Sequence, residues 1–112
     1  MTTPAAEVDV READRLARIG QVLLLDVREA DEWAAGHAPA AVHLPLADAL
    51  PGAVPNGRPV LAICRSGNRS GQAAAALAAA GRDVRNVTGG MKAWAAAGLP
   101  VVDGAGRPGD VE

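Results

Sequence analysis

The residue with the most chemistry in this chain is its single cysteine, Cys64. It stands at the end of an apolar run, Pro59-Val-Leu-Ala-Ile63, and opens the segment Cys64-Arg65-Ser66-Gly67-Asn68-Arg69-Ser70. A lone cysteine forms no disulfide within the chain, and a cysteine-based zinc site is not expected either. Two uses remain for it: an inert buried thiol or a reactive thiolate. Gly67 admits unusual backbone angles, and Ser66 and Asn68 are turn formers. A tight turn here aims successive N–H groups inward as an anion nest. The helix that follows adds the positive end of its dipole at the same point. Arg65 and Arg69 bring positive charge. A thiol so placed is stabilised as its anion and becomes a nucleophile. The same donors suit a persulfide, Cys–S–S⁻, and covalent catalysis of this kind needs no metal, no cofactor and no neighbouring base. The candidate site is therefore Cys64 as nucleophile, with Arg65, Ser66, Gly67, Asn68 and Arg69 as the substrate-binding cradle. Two blander uses of the same residues stay open. The turn is also shaped for phosphate with Cys64 as filler, and Arg65 or Arg69 can be paired with a carboxylate elsewhere.

Elements to position such a loop are visible on both sides of it. Val22–Asp26 and Pro59–Ile63 are short, continuous apolar runs, the pattern of strands covered on both faces. Ala41–Pro45 and Asp83–Val87 are weaker strand candidates, and Val8–Val10 is a possible short edge strand. Helical patterns run over Arg11–Ile19, Glu29–Ala35, Arg69–Ala80 and Met91–Ala97, and each is followed by a glycine that can stop it. The stretch 48–58, with its Pro and Gly, reads as a loop with room for one helical turn. Alternating strands and helices predict an α/β sheet with helices on both faces, in which ligands sit beyond the carboxyl ends of the strands. Asp26 and Cys64 both fall at such ends.

Bulk properties narrow the function classes. A chain of 112 residues fits one domain, here expected over 1–102, with a Gly-rich, flexible C-terminal tail at 103–112. The net charge of −2 is spread without a basic run, which disfavours nucleic acid and membrane surfaces as partners. There is no Phe or Tyr to stack bases. The amino terminus has neither a basic start nor an apolar core of a signal peptide, so a cytoplasmic location is the expectation.

Other polar and aromatic residues read as structural. Asp26, Arg28 and Glu32 are expected to form a buried ion-pair network, with Arg65 a candidate further member. His37 is expected to be a satisfied structural histidine and His43 a surface or packing residue. Trp33 and Trp94 read as core anchors, Gly89-Gly90 as a turn near the active-site mouth, and Lys92 as a solvated lysine.

Taken in order, three segments resemble the rhodanese domain, in its single-domain sulfurtransferase form. The loop Cys64–Arg69 is similar to the family's active-site loop. Leu25-Asp-Val-Arg-Glu29, Glu32-Trp33, Gly36-His-Ala-Pro-Ala-Ala-Val42 and Pro45 resemble its N-terminal signature. Val87-Thr-Gly-Gly90, Trp94 and Gly98-Leu-Pro100 resemble its C-terminal end. The resemblance implies a three-layer fold with a small, mostly parallel sheet of about five strands between helices. It implies that Cys64 accepts a sulfane sulfur from a small anionic donor such as thiosulfate and passes it to cyanide, a thiol or a protein acceptor. One departure is Ala38, where the family commonly has Ile, which alters packing. Four residues separate Cys64 from Arg69, one fewer than in the related cysteine phosphatases, and Ile63 replaces their His. A smaller ring suits one added sulfur better than a phosphoryl group. The rival functions are a phosphatase or arsenate reductase using the same nucleophile, and a non-enzymatic sulfur carrier or partner-binding module.

Overall fold

The computed structural model describes residues 6–112. The sequence-based expectation for the extreme amino terminus falls partly on residues 1–5 and lies outside them. Five strands, β1 (Glu7–Val8), β2 (Leu23–Asp26), β3 (Val42–His43), β4 (Val60–Ile63) and β5 (Val84–Val87), form one sheet in the order β1-β5-β4-β2-β3. All four pairings are parallel. Three helices connect strands, α1 (Val10–Arg18), α2 (Ala30–Ala35) and α3 (Asn68–Ala79), and a fourth, α4 (Gly90–Ala96), follows β5. A 3₁₀ turn at Leu46–Asp48 lies just before the loop in which a helical turn was expected.

The central strands explain the topology. Every residue of β2 and β4 is buried, as continuous apolar runs require of strands covered on both faces. Side chains alternate between two cores. On one face Leu23, Leu25, Val60, Ala62 and Cys64 pack against Ala73, Ala74 and Leu77 of α3. On the other, Leu24, Leu61 and Ile63 pack against Ala13 of α1 and against Met91 and Trp94 of α4. The candidate nucleophile is thus one more inward residue in the alternation of β4.

Helix ends are fixed locally. Asp9 caps α1 by accepting from the Glu12 N–H at 2.9 Å. Glu29 and Glu32 form a capping box on α2. After α3, Arg82 donates to the carbonyls of Pro51, Val54 and Pro55 at 3.0, 3.0 and 2.6 Å, so one guanidinium holds the 48–58 loop.

Two expectations need correction. Trp94 is a core anchor, 1% exposed, with its indole N–H on Pro100 O at 2.8 Å. Trp33 is not. It is only partly buried and stacks on His37, with centroids 3.6 Å apart, and on His43, 4.9 Å apart. Residues 103–112, expected to fray, are instead tied back. Gly104 and Asp110 donate to the carbonyls of Ala34 and Ala35, Gly109 donates to Val101, and Val111 packs on the α1/α4 core. The carbonyls left unpaired at the end of α2 give this segment its partners.

Candidate active site

Cys64 follows the last residue of β4, at the carboxyl edge of the sheet, and its loop ends where α3 begins. Gly67, the residue before α3, has φ +108°, a left-handed conformation that favours glycine. This turn brings the Gly67 N–H to 3.1 Å from Cys64 Sγ. The Ser70 hydroxyl, one turn into α3, lies 3.2 Å from the same sulfur.

The orientation of the loop is set from α4. Met91 N–H donates to Cys64 O at 2.7 Å, and Lys92 N–H donates to Arg65 O at 3.0 Å. Within a planar trans peptide, the C=O and the next N–H point in opposite directions. Pinning those two carbonyls toward α4 therefore turns the N–H groups of Arg65 and Ser66 away from it, toward the interior of the turn. The contact demands a glycine. A Cβ on Gly90, itself at φ +58°, would fall 2.3 Å from Cys64 O and 2.6 Å from Arg65 O. The Gly89-Gly90 turn, expected at the mouth of the site, is what lets α4 approach the loop this closely.

Burial pushes the Cys64 thiol up. The Ser70 hydroxyl and the backbone N–H groups of Ser70, Gly67 and Ser66 outweigh it, and the thiol is held below its ordinary value. The sulfur is buried, with the residue only 1% exposed, yet its surroundings are donors. Hydrogen-bond donors at the sulfur favour the thiolate, whereas a thiol packed among apolar groups is held in its neutral form.

The two arginines of the loop do different things. Arg69 makes a two-pronged ion pair with Glu32 of α2, at 2.5 and 2.8 Å. Its guanidinium, with help from the Glu29 N–H, holds the Glu32 carboxyl down at about 2. Arg65 is exposed, and its Nε donates to the Glu112 carbonyl at 2.6 Å. The expected polar network thus splits in two. Asp26 and Arg28 pair at 2.8 Å with both side chains fully buried, while Glu32 pairs with Arg69 and Arg65 belongs to neither. Ser66 and Asn68 are exposed at the rim. Lys92 is solvent-exposed, His37 Nδ1–H donates to Trp33 O at 2.8 Å, and His43 Nε2–H to Arg28 O at 2.7 Å.

Two residues in the site went unassigned from sequence. Ser70 was legible only as the residue after the loop. Asn86 on β5 donates through Nδ2 to Gly67 O at 3.1 Å, and its Oδ1 is 2.6 Å from Ser70 Oγ. Its one local signal was an amide inside a short strand, where Asn is disfavoured. A cavity of about 200 Å³ lined by Leu16, Val22, Pro59, Leu61 and Arg85 lies at the amino ends of β2 and β4, away from the cysteine.

A parallel five-stranded sheet carrying a cysteine loop between strand and helix defines a class, and the sequence comparison agrees. The rhodanese-like domain pattern matches residues 8–97, and the chain belongs to that family. It is 44% identical over 94 residues to a sulfurtransferase of Allochromatium vinosum, covering 80% of this chain and 87% of the relative. A thiosulfate sulfurtransferase of Pseudomonas putida is 41% identical over 78 residues, 66% of this chain and 70% of that one. The chain also spans about half the length of two further curated relatives. Among solved structures, a rhodanese-related protein of Thermoplasma volcanium superposes with a TM-score of 0.79 at 26% identity, over 87% of this chain and 97% of its own.

Proposed function

We propose that this chain is a sulfurtransferase that carries a sulfane sulfur on Cys64. The observation that carries the reading is the donor set around one sulfur, with Gly67 N–H at 3.1 Å and Ser70 Oγ at 3.2 Å. The Cys64 thiolate attacks the outer sulfur of a donor such as thiosulfate. A new S–S bond forms, the donor's S–S bond breaks, and sulfite leaves with the electron pair. The persulfide's negative charge then lies on the outer sulfur, inside the turn, where the inward N–H groups stabilise it. A nucleophilic acceptor, cyanide or a thiol, attacks that sulfur and releases the Cys64 thiolate. The covalent intermediate predicts ping-pong kinetics. Arg65, exposed at the rim, is the charge that attracts an anionic donor.

Two features favour sulfur over phosphoryl chemistry. Arg69, the cation at the far end of the loop, is engaged by Glu32, so it is not free to clamp a phosphoryl group. The cysteine is also nearly closed off, which suits transfer of one small atom. Incubation with thiosulfate is expected to add the mass of one sulfur to Cys64, and cyanide to convert it to thiocyanate. Cys64→Ser loses both while melting like the parent. Sulfur transfer retained in Cys64→Ser, or no mass gain in the parent protein with any sulfane donor, overturns the reading.

A further inference from the structure

The Ser70 hydroxyl has one proton and two neighbours within hydrogen-bonding reach. Cys64 Sγ is at 3.2 Å and Asn86 Oδ1 is at 2.6 Å. The Asn86 amide cannot turn over to relieve this, because its Nδ2–H₂ is donated to Gly67 O at 3.1 Å. A flipped amide would set two oxygens against each other. We propose that Asn86 is a positioning residue that competes with Cys64 for the Ser70 proton and so sets how readily Cys64 ionises.

With Cys64 as a thiol, every group is satisfied. The S–H donates to Ser70 Oγ, and the Ser70 O–H donates to Asn86 Oδ1. When the thiol gives its proton to solvent, the thiolate can only accept. The Ser70 O–H must then swing to Sγ, and Oδ1 is left without its donor. A partly buried amide oxygen without a partner costs free energy. Asn86 therefore opposes the thiolate through Ser70, while it steadies the turn through Gly67 O. The charged groups around the sulfur are separate from this competition. They are Arg69 of α3, neutralised by Glu32 of α2; Arg65 of the loop; the Asp26–Arg28 pair ending β2; and Lys92 of α4, whose side chain is exposed. All are unchanged by substitution at position 86.

This inference rests on Cys64 being the nucleophile of the proposed transfer, but its test uses no sulfur donor. Cys64 is the chain's one cysteine, so its rate of alkylation by iodoacetamide against pH reports its ionisation directly. Ser70→Ala is expected to raise the midpoint. Asn86→Ala, and the volume-matched Asn86→Leu should alanine unfold the strand, are expected to lower it by about half to one pH unit, from one released hydrogen bond. That is about three- to tenfold faster alkylation below the midpoint. In a Ser70→Ala background the Asn86 substitutions are expected to leave the midpoint where Ser70→Ala put it. A merely structural Asn86 gives the opposite result: a loosened turn and a raised midpoint, with or without Ser70. A raised or unmoved midpoint in the single variants, or a drop that persists without Ser70, overturns the proposal. Failure of thiosulfate loading with this pattern intact overturns the transfer reading instead.

Discussion

The carboxyl ends of β2 and β4 are neighbours, with Asp26 in register with Ile63, yet they end in opposite ways. At the end of β2 every polar group is already matched. Asp26 accepts from the Arg28 N–H at 3.0 Å and from its guanidinium at 2.8–3.1 Å. Arg28 turns its remaining N–H groups to the carbonyls of Gly36 and Glu32, at 2.7 and 3.4 Å. Both residues are fully buried, with no capacity left for a ligand. At the end of β4 the N–H groups converge on the sulfur of Cys64, which on the proposed reading takes on another atom. Two chain reversals at one edge therefore part company on a single point: whether the donors are satisfied by the protein's own charges or left for an incoming one. The first makes structure; the second is where the proposed transfer takes place.

Breaking the closed end has the largest effect. Asp26→Ala leaves the Arg28 guanidinium buried without its counter-ion. Chemical denaturation is expected to show a loss of about 3–5 kcal/mol. Next comes the support of the open end. Gly90→Ala drives a methyl into the carbonyls of Cys64 and Arg65, and is expected to cost about 2–4 kcal/mol and to slow persulfide formation. Gly20→Ala is the control. Gly20 is also at positive φ, +74°, but in open space, so it is expected to lose only about 1 kcal/mol and to keep its transfer rate.

The bridge between the two regions, Glu32–Arg69, gives a pH signature. The Glu32 carboxyl lies at about 2 in the folded protein against an ordinary 4.5. A depressed carboxyl contributes stability that is complete above its unfolded value and disappears as pH falls toward its folded one. Glu32→Gln is therefore expected to cost about 1–2 kcal/mol at neutral pH, allowing for the partly exposed arginine. In acid denaturation curves the gap to the parent should narrow below about pH 4.5 and close near pH 2. The smallest structural effect belongs to the rim. Arg65→Ala is expected to change stability by under about 0.5 kcal/mol while raising KM for thiosulfate about tenfold, the loss of one partly screened charge contact. A matching fall in kcat would move Arg65 from donor capture into the chemistry.

The same contrast explains what could be read in advance. The runs at 22–26 and 59–63 announced β2 and β4 because strands covered on both faces leave an unbroken apolar record. The loop announced its candidate nucleophile because a lone cysteine beside Gly67 and two arginines is a local pattern. What escaped were relations fixed by the sheet. Nothing near Arg69 says that its partner is Glu32, since α2 and α3 meet only after β2 and β4 pair. Asn86 looks like a weak strand residue until β5 is laid beside β4 and its amide comes within reach of Gly67 and Ser70. The folding-back of 103–112 depends on bare carbonyls at the end of α2, which composition does not record. Trp33 was placed in the core by size, whereas the flat faces of His37 and His43 hold it at the surface.

The helix that carries Ser70 meets the sheet first through Ala73 and Ala74 and then, about a turn further from the site, through Leu77. A methyl group has no alternative rotamer to visit and none to lose on folding. At the end of the helix nearest Ser70, before Leu77 is reached, the spacing to β4 and with it the reach from hydroxyl to sulfur are therefore set by groups with no soft side-chain coordinate. Enlarging either alanine shifts the whole helix rather than one contact. Fidelity at the sulfur is inherited from the stiffness of an interface that takes no part in the proposed reaction.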